Sequence, residues 1–302
     1  MVNPAYSNPL SYFNFKDVES LPIINTITPP FDVLVDGVET GDLLKVKEAF
    51  KRGADANGIW ETQNILHCAC EKGNVEIVRE LLENGAGIDS KSWRMSDTPL
   101  HRACIFGHAE VVKYLITQKA TINIRSKNCG MTPLEYAITS DSLKCCELLI
   151  RAGALVNDEN IFYGRTTPLK EACSKLNYDM VKLLLDSGAE PKVNLSTVVN
   201  SPKILQLLLN KGASVNSYAF FDDQSPLFAA ATWGRVESVI ILLAAGADPK
   251  VIDDEGKTPL DRARWHLNNH QTNPCNSPEI TANFIQNLEV VINILSSSTL
   301  SK

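Results

Sequence analysis

TPLHRACIFGHAEVVKYLITQKATIN, residues 98–123, decides the fold, because the chain keeps returning to it. NILHCACEKGNVEIVRELLENGAGID (64–89) precedes it. TPLEYAITSDSLKCCELLIRAGALVN (132–157) and TPLKEACSKLNYDMVKLLLDSGAEPK (167–192) follow, then SPLFAAATWGRVESVIILLAAGADPKV (225–251) and TPLDRARWHLNNH (258–270). The leucines of the opening tripeptide, Leu66, Leu100, Leu134, Leu169, Leu227 and Leu260, are separated by 34, 34, 35, 58 and 33 residues. A fixed period of this length marks a stacked-repeat architecture, in which each unit buries its apolar face only against its neighbours.

The local chemistry predicts a helix-turn-helix in each unit. Thr98, Thr132, Thr167, Ser225 and Thr258 each precede a proline. A hydroxyl can accept a backbone N–H at a helix start, and proline suits the first helical position. Asn64 is expected to cap in the same way. A short helix then breaks at Gly73, Gly107 or Gly234. The second helix carries an apolar stripe, such as Val75, Ile77, Val78, Leu81 and Leu82, at helical spacing. Gly85, Gly153, Gly188, Gly212 and Gly246 close the second helices. Lys119 stands where glycine closes the other units, so strain is expected there.

This pattern resembles the ankyrin repeat, whose period is about 33 residues and whose signature is T-P-L-H-x-A. The resemblance implies an all-α ankyrin-repeat solenoid of about eight helix-turn-helix units with short β-hairpin-like finger loops. Residues 1–30 are expected to form an extended arm, and 31–296 the array. A capping unit covers 31–61, and units start near 62, 97, 131 and 166. A shortened unit spans 195–217, another unit starts near 224, a C-terminal capping unit covers 257–296, and 297–302 form a tail. From Gly188 to Gly212 is 24 residues, so roughly ten of the usual period are missing there. The shortened unit is expected to lack a finger and to start its second helix at Ser201-Pro202. An insertion around 267–277 is expected to displace the last outer helix.

The stretch HCAC (67–70) and eight cysteines in the chain suggest metal chemistry. Aligned repeats argue otherwise. Cys70, Cys104 and Cys173 fall at the second alanine of the family's Ala-Ala pair, where cysteine acts as a small hydrophobe. Cys145 and Cys146 align with Val111 and Val112, so at least one belongs to the core. Cys68 and Cys70 are two apart on a helix and point apart. No metal, cofactor or catalytic residue is expected, and Cys129 is expected to be exposed on a loop tip. The resemblance implies that His67 and His101 tie each repeat to the next. No glycine-rich phosphate loop, G-x-S-x-G, H-E-x-x-H or kinase signature is present.

A formal net charge of −6 argues against nucleic acid, which needs clustered Lys and Arg. No apolar run of about 18 residues suggests a membrane span, and no basic-then-apolar leader suggests secretion. A cytoplasmic monomer with reduced thiols is expected.

Candidate binding residues are those that the repeat does not require. Loop tips carry Trp60; Trp93 with Arg94 and Met95; Phe162 and Tyr163 with Arg165; and Tyr218, Phe220 and Phe221. Phe106 and Trp233 stand just before the glycine turn, with Trp265 at the matching place of the last unit. Aromatic and Arg side chains dominate protein–protein hot spots. Asp222–Asp223 and Asp253–Asp254–Glu255 are expected to be a solvated acidic edge. Asn3-Pro4-Ala5-Tyr6 resembles an NPxY peptide, and Asn123, Asn157 and Asn216 follow a leucine by eight residues, as some ankyrin-directed asparaginyl hydroxylases favour. The functional expectation is a non-enzymatic adaptor or scaffold. The alternatives are a substrate-recognition subunit of a ubiquitin ligase, for which a SOCS-type box is missing from the sequence, and a secreted bacterial effector that engages host proteins.

Overall fold

A computed structural model describes residues 28–93, 96–162, 164–216, 225–272 and 278–300. Its helices pair in sequence order. They are α1 (Pro30–Thr40) with α2 (Leu43–Lys51), α3 (Ile65–Lys72) with α4 (Val75–Glu83), α5 (Pro99–Ile105) with α6 (Ala109–Thr117), and α7 (Pro133–Thr139) with α8 (Leu143–Arg151). Then come α9 (Pro168–Ser174) with α10 (Tyr178–Asp186), a single 3-10 turn (Leu195–Val198) with α11 (Pro202–Asn210), α12 (Pro226–Thr232) with α13 (Val236–Ala244), and α14 (Pro259–Thr272) with α15 (Pro278–Leu300). First helices stack on first helices and second helices on second helices along the whole series. The result is a two-layer solenoid of about eight units.

The helix starts follow the hydroxyl chemistry. Thr132, Thr167 and Ser225 accept from the N–H of Glu135, Lys170 and Phe228. Asn64 differs from expectation, because its side chain makes no cap bond. Its amide instead donates to Asn57 O at 3.4 Å, within the turn that leads into the first finger. Asp141 and Leu176 stand where Gly73, Gly107 and Gly234 break other units, and both adopt positive φ, 59° and 54°. Lys119 does so at 67°, which is the strain expected of it.

Two buried histidines link successive units. His67 Nε2 donates to Asp97 O at 3.0 Å, and His101 Nε2 to Met131 O at 3.2 Å. His101 Nδ1 accepts from the Thr98 N–H at 3.0 Å, which fixes the neutral tautomer with its proton on Nε2. His108 adds a third link, Nε2 to Glu71 O at 2.7 Å, and its ring occupies the space a side chain at Gly73 would need.

The shortened unit keeps its outer helix and reduces its inner helix to the 3-10 turn. Val199 follows the 3-10 turn, and its carbonyl lies at a helix end, where intrahelical partners are lacking. Ser238 Oγ donates to it at 2.7 Å, fully buried on α13. The equivalent positions on α4, α6, α8, α10 and α11 are Ile77, Val111, Cys145, Met180 and Ile204. Ser238 is thus polar where it meets the carbonyl that follows the shortened inner turn.

At the C-terminus one expectation changes. Residues 266–272 extend α14 to 14 residues, so the extra residues expected around 267–277 are helical as far as Thr272. Residues 297–300 continue α15 rather than forming a tail, with Ser297, Ser298 and Thr299 hydroxyls donating to carbonyls three or four residues back. Residues 1–27, 273–277 and 301–302 lie outside the described residues.

Two outcomes test this scheme. Ser238→Val retains shape but strands the Val199 carbonyl, and is expected to lower the unfolding free energy by about 1–3 kcal/mol in urea titration. Burial lowers the His101 pKa from 6.5 to about 4, against the raising effect of Asp97. The unfolded chain therefore takes up a proton that the native state refuses. Stability is complete above pH 6.5 and declines as pH falls towards 4. His101→Gln is expected to be less stable at neutral pH and to show a flatter profile across that window, as followed by chemical denaturation.

Candidate partner-binding surface

The chemistry-like residues belong to the scaffold. Cys68, Cys70, Cys104, Cys145, Cys146 and Cys173 are buried, and burial pushes the Cys68 thiol up to about 11 and that of Cys173 to about 12. Thiols so held are protonated, and a protonated thiol is a poor nucleophile and a poor metal ligand. Among the described residues no group of three His, Cys, Asp or Glu is placed to hold a metal ion. Cys129 is half-buried rather than exposed. Its sulfur sits 2.9 Å from both Ser126 Oγ and Tyr136 Oη, because Tyr136 on α7 points back beneath the finger.

The aromatics are arranged differently. Finger loops project ahead of the first helices. One is a true hairpin, in which Ile59–Trp60 pairs antiparallel with Gln63–Asn64. Others close by single backbone links, Ser92 N to Asp97 O at 2.9 Å and Asn160 N to Thr166 O at 2.8 Å. Trp60 is 38% exposed and Trp93 85%. The Trp93 N–H donates to Thr62 O at 3.1 Å, so the two tryptophans stand on directly joined fingers. Phe162 is 60% exposed, and its ring lies over Gly130 of the preceding finger, where no side chain would fit. Asn160 pins that arrangement by donating to Cys129 O at 3.1 Å and accepting from Phe162 N at 3.0 Å.

Phe106 (40% exposed) and Trp233 (57%) lie at the opposite end of the first helices, as the residues that end α5 and α12. Seven helical residues span about 10 Å. The candidates thus form two rows, finger tips and turns, flanking the same first-helix layer. Trp265 does not match Phe106 and Trp233 in register, because it follows its repeat leucine by five residues and they follow theirs by six. It is nevertheless exposed, on the extended α14. Arg94, Met95, Tyr163, Tyr218, Phe220, Phe221, Asp222 and Asp223 lie outside the described residues.

Charges near these rows are mostly committed. Asp97 takes the Ser92 hydroxyl and lies 3.0 Å from Arg102 Nε, with its side chain almost fully covered. Arg165 Nε and Nη2 both reach Glu159 Oε2 at 3.2 Å. Asp253 is not a free acidic tip, since Arg262 Nη2 reaches it at 2.7 Å and the backbone of Glu255 and Lys257 donates to it. The sequence reading passed over Ile59, Ile161, Leu176 and Tyr178, all exposed beside these rows. Leu176 was detectable as a large apolar residue at the place where Gly73, Gly107 and Gly234 break other units.

Comparison with known proteins agrees with this architecture. A family model for ankyrin repeats, written as three copies, matches residues 34–128, 90–160, 122–194 and 195–272. Human ankyrin repeat and SOCS box protein 16 is 34% identical over 128 residues, covering 39% of this chain and 28% of that protein. The E3 ubiquitin-protein ligase hecd-1 of Caenorhabditis elegans is 33% identical over 104 residues, 34% of this chain and 4% of that protein. The chain thus spans less than a third of these relatives. The crystal structure of the human ASB11 ankyrin repeat domain aligns with a TM-score of 0.59 at 25% identity, covering 75% of this chain and 96% of that one. Ankyrin repeats mediate protein–protein interaction, and their fold is typically non-enzymatic. With repeat periodicity, imidazole links and family model in agreement along most of its length, the chain belongs to the ankyrin-repeat family.

Proposed function

We propose that this chain is a non-enzymatic adaptor that holds one protein partner across the first-helix layer, between the finger-tip row and the turn row. The observation that carries the reading is the exposure of Trp93, Phe162, Phe106 and Trp233, large apolar side chains at positions the fold does not need. Leaving such surface in water is unfavourable at roughly 25 cal/mol per Å², and a patch of this kind marks an interaction surface. Trp93 on one row and Trp233 on the other define its breadth. The paired charges around them, Arg102 with Asp97 and Arg165 with Glu159, hold the fingers in place and keep the apolar rows presented. Ubiquitin-ligase relatives are consistent with a substrate-recognition role and do not favour it. Among the described residues no helix is long and apolar enough to cross a membrane.

The test begins with proteomic capture on the full chain, followed by calorimetry with the partner so identified. Trp93→Ala and Trp233→Ala are each expected to keep the melting temperature and to weaken binding by about 30-fold, the loss of a hot-spot side chain. Unchanged affinity in both variants overturns the assignment of the surface.

A further inference from the structure

The chain enters α1 at the end of the finger row. Gly41 and Gly73 end α1 and α3 in the same left-handed conformation, which puts Leu34 in register with Leu66 and Thr28 in register with Trp60. Thr28 thus stands where the next unit carries a finger tip. Two contacts hold the chain there. Arg52 Nη2, from the residue that ends α2, donates to Thr28 O at 2.6 Å. The Phe31 ring occupies the space that a side chain at Gly58 would need, at the base of the Ile59–Trp60 hairpin. Residues 1–27 therefore join the solenoid one unit before Trp60.

The length and chemistry of that segment match the row. Stacked helices lie about 8–10 Å apart, and an extended chain advances about 3.3 Å per residue, so about three residues cover one unit. Counted back from Thr28, the units of Trp60 and Trp93 take residues 22–27, which carry no charge. The next unit, where Lys127 stands and the Phe162 ring lies over Gly130, falls at Glu19. Side chains of an extended chain alternate between two faces. One face then carries Asp17, Glu19, Leu21, Ile23 and Ile27, acidic at the far end and apolar at the near end. Lys16 falls on the other face. The row has the complementary order. Exposed Trp60 and Trp93 come first and Lys127 follows, with Lys91 beside Trp93. Both lysines are exposed and form no ion pair among the described residues. Glu61, beside Trp60, falls where the segment has no charge.

We infer that residues 17–27 of this chain lie along the finger row as its own ligand, with Leu21, Ile23 and Ile27 on Trp60 and Trp93 and the acidic pair at Lys127. The segment is tethered at one end of the surface that it covers, so its effective concentration there is high and a weak contact suffices. A partner that needs Trp93 has to displace it, and the segment thereby sets the partner's apparent affinity. That consequence rests on the proposed binding function. The docking of the segment does not.

A photo-crosslinker at position 93 of the full chain, in mixed 14N and 15N protein, tests it. The crosslinker is expected to reach residues 17–27 of the same label, and one at position 233 is not. Leu21→Asp with Ile23→Asp is expected to cut the yield about 10-fold with unchanged melting. Lys127→Glu is expected to lower it several-fold, and Glu19→Lys in the same chain to restore it. With the partner in hand, the Leu21→Asp, Ile23→Asp chain is expected to bind about 10-fold more tightly, as for a surface vacant a tenth of the time. Crosslinks from position 93 that miss residues 17–27 or join different labels, or a yield unchanged by the Leu21 and Ile23 substitutions, overturn the docked segment. A partner affinity unchanged by those substitutions overturns its displacement. Crosslinks as expected beside a partner indifferent to Trp93→Ala support the docked segment and overturn the binding reading alone.

Discussion

Five first helices, α3, α5, α7, α9 and α12, have only seven or eight residues each. That is about two turns, well under the length at which an isolated helix persists in water. Each therefore exists because its neighbours cover it on both sides. The near-complete burial of α12 from Pro226 to Ala231 shows how close that cover is. It explains why the residues after the opening leucine are small, as in Ala69–Cys70, Ala103–Cys104 and Ala172–Cys173. It also explains why buried imidazoles bridge units, since a finger carbonyl facing a packed layer needs a donor that can reach it.

Much of this was legible in the sequence for a definite reason. The opening leucines keep register because a slip of one residue would turn the packed side of a two-turn helix to solvent. The Thr-Pro and Ser-Pro starts, and the positive φ of Lys119, follow from backbone chemistry that acts within a few residues. What was not legible depends on neighbours distant in sequence. Ser238 reads as an odd polar residue in an apolar helix until the missing inner helix of the preceding unit is seen. Cys129 reads as a loop thiol until Tyr136 is found beneath it. Continuation of α14 past Trp265 needed knowledge of what α15 packs against, and Phe284 against His270 supplies it at 4.8 Å between ring centroids.

The candidate surface was legible by subtraction. Once the repeat accounts for the leucines, alanines, cysteines and histidines, Trp60, Trp93, Phe106, Phe162 and Trp233 remain as exposed side chains that the repeat does not call for. Subtraction finds residues but not their grouping. Only the structure separates Trp60, Trp93 and Phe162 from Phe106 and Trp233 as two edges of one layer, and only the structure shows that Arg165 and Asp253 are held within the chain.

The shortened unit bears on that layer in another way. Its first-helix side is a four-residue 3-10 turn, while its second-helix side is a full nine-residue helix. It is thus a tapered course in the stack, thin on one side and full on the other. An arch laid with one tapered course bends at that course. The stretch before it, with Trp93, Phe106 and Phe162, and the stretch after it, with Trp233, are then set at an angle to one another. A rigid straight ligand meets one of them, and a ligand with a bend of its own meets both.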